Sequence, residues 1–257
     1  MRVRLFVAFT ALIIGVAVLP SSAVSGPDDY VVTDVGVLPG GALSSPDALN
    51  ESGEVVGYSW LSSRSDRIHA FLYDGAGIRD LGALPGGDYS VARGISSSGV
   101  AVGEAANAET VLAVLWDGSG VAALGTLGGS WSTAHDINDL GQVVGAAGIA
   151  SDGSRAFIWD EAKGMRDLGL LRGGTFSEAH ATNNLRQVVG DADVAGGSTR
   201  AFIWDETGGM RDLGTLPGAT DSFANDVNDF GEVVGDSLPA GPEGGIHGFI
   251  YPEFRTK

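Results

Sequence analysis

The chain has 257 residues, enough for one large domain or two small ones. Its formal charge of −17 repels polyanions, which argues against nucleic acid and anionic lipid headgroups as partners. It has no cysteine, so disulfides and cysteine-linked lipids are excluded, while 41 glycines and frequent valines favour strands and tight turns over helices.

In chain order, residues 1–25 read as a secretory signal peptide. Arg2 and Arg4 precede an apolar run from Leu5 to Leu19, and Ser21, Ser22 and Ala23 supply a small-residue cleavage region. The run is short for a membrane span, and no second one follows. The expectation is a secreted or periplasmic protein that is not integral to a membrane.

Residues 26–257 read as a single repeat domain of five units, about 30–82, 83–125, 126–169, 170–214 and 215–251. Three markers recur in fixed order. A "VVG" element or its variant ends at Gly57, Gly103, Gly145, Gly190 and Gly235. A "DLG" element or a relative ends at Gly36, Gly82, Gly125, Gly169 and Gly214. An aromatic run reads "HAFLYD" from His69, "LAVLWD" from Leu112, "RAFIWD" from Arg155 and Arg200, and "HGFIYP" from His247.

Each unit reads as four short antiparallel strands. In the third they are "STAHDIN", "QVVGAAG", "RAFIWD" and "MRDLG", with a turn at Asn138–Gly141. Four strands per repeat of 40 to 50 residues is the pattern of a β-propeller blade; a solenoid is the competing architecture. A spare strand stands before the first full unit, and the last unit stops after its third. If Val31 to Val37 completes the last blade beside Gly248 to Tyr251, five blades of four strands close into a ring with no exposed sheet edge at the seam.

Units carrying "DLG", "GG", "A-x-x-I-N-x-x-G-x-V-V-G" and "H-A-F-x-W" resemble the HAF repeat, a family of extracellular bacterial repeats. The triplet is intact only at His69-Ala70-Phe71, and relaxed at Arg155-Ala156-Phe157, Arg200-Ala201-Phe202 and His247-Gly248-Phe249. The resemblance covers Tyr30 to Tyr251. It implies export and a repeat architecture, and supplies no catalytic residue.

The recurring aromatics, Phe71, Phe157, Phe202 and Phe249 with Tyr73, Trp116, Trp159, Trp204 and Tyr251, are expected in the packing between blades. Asn50, Asn138, Asn183 and Asn228 open turns; Gly53, Gly141 and Gly231 stand at the fourth position, where the remaining turn has Arg186. The four histidines lie in different units at no zinc-ligand spacing, and the calcium-loop pattern is absent. "GISSSG" at Gly94 to Gly99 is not a nucleophile elbow. No cofactor is expected, with a structural calcium held across blades the one left open.

The loop entering each first strand keeps a serine, Ser44 or Ser45, then Ser90, Ser132, Ser177 and Ser222, after two glycines that become Gly218 and Ala219 in the last unit. Around that frame the residues vary. Tyr89, Trp131 and Phe176 precede the serine, with Asp221 in the last unit. Arg93, His135, His180 and Asn225 stand three residues after it, with Asp47 in the equivalent place. Aromatic rings beside polar side chains at a channel mouth suit a carbohydrate or protein ligand. The candidate binding residues are therefore Tyr89, Arg93, Trp131, His135, Phe176, His180 and Asn225. The expected function is a noncatalytic binding or adhesion module, monomeric, using this loop face. The alternatives are a glycan hydrolase, with its carboxylates among Asp47, Asp136, Asp221 and Asp226, and a purely structural surface component.

Overall fold

The computed structural model describes residues 32–62, 67–239 and 245–252. The expected signal peptide, with Tyr30 and Val31, lies outside them. The chain divides into one unit ending at Val35, whose described residues carry no strand, and a second from Gly36 that carries every strand.

There is no helix among the described residues. The first sheet runs β1 (Ser44–Leu49), β2 (Val55–Trp60), β3 (Ile68–Tyr73) and β4 (Ile78–Asp80). The second runs β5 (Ser90–Ile95), β6 (Ala101–Ala106), β7 (Val111–Asp117) and β8 (Gly120–Gly125). In the third, β10 (Val143–Ile149), β11 (Gly153–Asp160) and β12 (Gly164–Asp167) are hydrogen-bonded, and β9 (Gly128–Ile137) lies along β10. The fourth runs β13 (Ser177–Thr182), β14 (Val188–Asp193), β15 (Thr199–Asp205) and β16 (Gly209–Asp212). The fifth has three strands, β17 (Ala219–Val227), β18 (Val233–Pro239) and β19 (His247–Tyr251). Every pairing within these sheets is antiparallel.

The sheets stack face to face in sequence order, with a core in each of the four gaps. Val56 and Leu72 of the first pack with Ala92 and Ile95 of the second. Val102 packs with Ile137 and Phe157, Val144 and Ile158 with Ala179 and Phe202, and Val189 and Ile203 with Val227. Phe71, Phe157, Phe202 and Trp116 are fully buried, so these rings are framework; each contributes roughly 2–3 kcal/mol by burial.

The copied polar residues have equally definite tasks. Ser90, Ser132, Ser177 and Ser222 are buried clamps between sheets. Each hydroxyl accepts the N–H of the alanine in the preceding sheet's third strand (Ala70, Ala113, Ala156 and Ala201) at 2.8–3.0 Å. Each donates to the carbonyl of the glycine ending the preceding fourth strand (Gly82, Gly125, Gly169 and Gly214) at 2.6–2.8 Å. Ser44, not Ser45, is the equivalent in the first unit: its hydroxyl donates to Gly36 at 2.6 Å. The "DLG" element is a strand end, since the carboxylates of Asp80, Asp167 and Asp212 accept the N–H of Gly82, Gly169 and Gly214 at 2.7 Å, each glycine with positive φ.

The described residues do not include a closed ring. The fifth sheet ends at β19, and residues 32–37 carry no strand. Apolar residues are exposed on the first and last sheets. Val234 and Ile250 are 45 % and 64 % exposed, whereas Val56, Val102, Val144 and Val189, at the place of Val234, are fully buried. At the other end Leu49 is 72 % exposed, while its counterparts Ile95, Ile137 and Val227 are buried.

Candidate functional site

The first strands of four sheets, β1, β5, β13 and β17, carry a β-bulge at one equivalent place. Register shifts between Pro46 and Ala48, Ala92 and Gly94, Ala179 and Ala181, and Ala224 and Asp226 leave Asp47, Arg93, His180 and Asn225 out of the ladder. His135 holds the same place on β9. The glycine of "VVG" exists for this bulge: a Cβ at Gly57, Gly103, Gly145, Gly190 or Gly235 would collide with a carbonyl of the bulged strand. A bulge re-aims a side chain, and here the re-aimed residue changes type between units.

Arg93, His180 and Asn225 find partners on the neighbouring second strand, at the residue following the glycine. Arg93 donates to Glu104 Oε1 at 2.8 Å, and the Tyr89 hydroxyl donates to the same oxygen at 2.7 Å. Burial opposes ionisation of Glu104, but these two donors outweigh it and hold its carboxyl below the ordinary range. Burial and then the Glu104 carboxylate push the Tyr89 phenol well above its usual range. Burial raises the Asp47 carboxyl, while the charge of Arg93 from the next unit opposes it. His180 Nε2 stands 3.0 Å from Asp191, and Asn225 donates to Asp236 at 2.8 Å.

His135 and His180 face each other with ring centroids 6.0 Å apart. Each ring is anchored on the next sheet, His135 Nδ1 on the Ala179 carbonyl and His180 Nδ1 on the Ala224 carbonyl, both at 2.9 Å. Because a carbonyl only accepts, both Nδ1 atoms carry the proton, and Nε2 is left to its carboxylate. Burial dominates at His135 and lowers its pKa, with Glu178 3.5 Å away opposing. At His180 burial is outweighed by the hydrogen bond and charge of Asp191, and the pKa rises.

Of the seven predicted residues, the structure brings Tyr89 and Arg93 together at Glu104, and His135 against His180. Asn225 is joined to Asp236. The other two aromatics stand apart. Trp131 on β9 lines a cleft against Gly148 of β10, and Phe176 is half-buried with its N–H bonded to Asp193 at 2.6 Å. Sequence reasoning passed over Glu104, Asp191 and Asp236; their signal was available, since each directly follows the "VVG" glycine.

Among the carboxylates weighed for catalysis, Asp221 is a loop staple, accepting the Thr199 N–H at 2.7 Å and the Thr220 hydroxyl at 2.7 Å. Asp136 is different. It accepts the N–H of Ile137 and, from the next sheet, of Thr182, both at 2.8 Å. Burial nevertheless raises its pKa to about 6, with the nearby charge of Asp226 adding to the rise.

The turns that follow these first strands form a ladder. Asn50, Asn138 and Asn183 each accept local backbone N–H groups on Oδ1 and donate from Nδ2 to a carbonyl in the next unit's turn: Ser96, Asn183 and Asn228. Arg186 adopts φ 65°, as the glycine position of its turn demands. Among the described residues, no three His, Asp or Glu side chains converge as a cation site. No described helix is long and apolar enough to cross a membrane.

No family model matches the chain, and no curated protein matches it. Among solved structures, it resembles TolB from Acinetobacter baumannii, a β-propeller, with a TM-score of 0.51 at 12 % identity. The match covers 76 % of this chain and 51 % of that one, so the chain spans about half of TolB's length. The likeness is one of fold: radially stacked antiparallel sheets.

Proposed function

We propose that this chain is an exported, noncatalytic binding module of the HAF-repeat kind, taking a carbohydrate or protein ligand on the inner strands and loop face of a five-bladed propeller. The observation that carries this reading is the row of bulged positions. The frame around them is copied, from the "VVG" glycine to the serine clamp, while the residues they re-aim change from Asp47 to Arg93, His135, His180 and Asn225. A purely structural ring would have no use for four different polar side chains at one repeated place.

Thermal unfolding against panels of oligosaccharides and peptides tests it, since a native-state ligand raises the midpoint. The expected rise should disappear in Arg93→Ala or His180→Ala. A rise equal in both variants and parent would sink the assignment of this row.

Ring closure belongs to the same proposal. Gly36 already occupies the serine clamp of Ser44 as Gly82 does that of Ser90, which supports residues 31–37 as the fourth strand of the last blade. The exposed Leu49, Val234 and Ile250 are the positions that pack together in three of the four gaps. Deleting residues 28–37 should lower the melting temperature of the whole chain; a variant melting like the parent would refute closure.

The environment of Asp136 and Asp226 favours one second reading, a glycan hydrolase in which Asp136, titrating near 6, serves as the acid. Release of reducing ends from a glycan panel, abolished in Asp136→Asn, would establish it in place of the first.

A further inference from the structure

The third unit differs from the other four beside Trp131. The residue three after the "VVG" glycine is Trp60, Ala106, Asp193 or Leu238 elsewhere, and Gly148 here. The indole uses that space: a Cβ at Gly148 would stand 2.9 Å from Trp131 Nε1 and 3.0 Å from its Cδ1. Gly129 completes the arrangement, for a side chain there would collide with the Gly148 backbone. In the fourth unit the equivalent space is closed by the Asp193 carboxylate, which staples the N–H groups of Thr175 and Phe176. In the third it remains a cleft of 410 Å³, lined by Trp131, bare glycine backbone, Ser130, Ile149 and Asp152. Asp152 is held at the rim with φ 54°, one of two non-glycine residues with positive φ among those described.

We propose that this cleft binds one pyranose ring of a neutral or amino sugar, stacked on the exposed face of Trp131. The inference deepens the binding-module reading and rests on it. An indole packed close to Gly148 with 38 % of its surface exposed is a rigid apolar platform. The C–H face of a pyranose matches such a platform, and its equatorial hydroxyls match the backbone groups and carboxylate around it. Asp152 and the charge of −17 select against uronic and sialic acids and favour an uncharged or protonated amino sugar.

The test titrates the full-length exported chain with tetramers of N-acetylglucosamine, glucosamine, glucose and galacturonic acid, read by tryptophan fluorescence and calorimetry. At least one of the first three should bind, with the galacturonic acid tetramer at least about ten-fold weaker, a difference of about 1.4 kcal/mol. Trp131→Ala should weaken binding by about ten-fold or more with the melting temperature unchanged. Gly148→Ala, which leaves the indole in place but lifts it, should weaken binding too. Sugar binding equal in parent and Trp131→Ala would overturn this cleft while leaving the module reading intact. A melting response to peptides but to none of the tetramers would likewise overturn the sugar assignment alone. No response to either class would end both.

Discussion

Replacing Ser177 by alanine removes one oxygen that serves two partners in another sheet. The Ala156 N–H, 3.0 Å from Ser177 Oγ, is fully buried on β11 and has no route to water once the hydroxyl is gone. An unsatisfied buried donor costs roughly 1–3 kcal/mol. The Gly169 carbonyl, 2.8 Å away, is only half-buried, and solvent can replace part of that bond. The sum is about 2–4 kcal/mol, which for an array of this size lowers the melting temperature by roughly 4–16 °C. Urea denaturation followed by far-ultraviolet circular dichroism should show a lower midpoint with an unchanged slope, as expected for lost stability rather than altered compactness. Ser151→Ala, at an exposed turn residue, is the control and should stay within about 0.5 kcal/mol of the parent. A Ser177→Ala variant that matches this control would show that the clamp reading is wrong and that the serine recurs for another reason.

Other outcomes follow from single residues. Arg186→Gly should be neutral or stabilising by up to about 1 kcal/mol, because φ 65° strains any side chain; clear destabilisation in the same assay would contradict that. Asp136 titrates near 6 in the folded chain against an ordinary 3.8, so the folded state holds its proton more tightly. Its contribution to stability is therefore complete below about pH 4 and lost as pH rises through 6, a change of about 3 kcal/mol. In Asp136→Asn that slope should vanish, and parallel pH profiles for parent and variant would count against it. Glu104→Gln should release Arg93 and let the Tyr89 phenol titrate closer to its usual range, read by ultraviolet absorbance; an unmoved phenol would show that Glu104 adds nothing to the effect of burial.

The repeat, the all-β class and the packing role of Phe71, Phe157 and Phe202 were legible because they depend on local pattern. A strand of alternating or continuous apolar residues, a turn opened by Asn and a glycine at positive φ each express themselves within a few residues. The copied serine and the "VVG" glycine were visible as copies, but their reasons were not. A hydroxyl that joins Ala156 to Gly169, or a glycine that yields to the carbonyl of a bulged neighbour, depends on chain segments brought together from different strands or units.

The same limit governed the site. Sequence alone singled out Arg93, His135, His180 and Asn225 as the variable residues at a repeated place, since variation against a copied frame needs no coordinates. That Glu104 gathers both Tyr89 and Arg93, that two imidazoles stand 6.0 Å apart with Nδ1 protonated, and that Trp131 turns away onto Gly148 are products of sheet stacking and register. Local periodicity specified the sheets; only their mutual packing decided which side chains meet, because those distances are set between units and not along them.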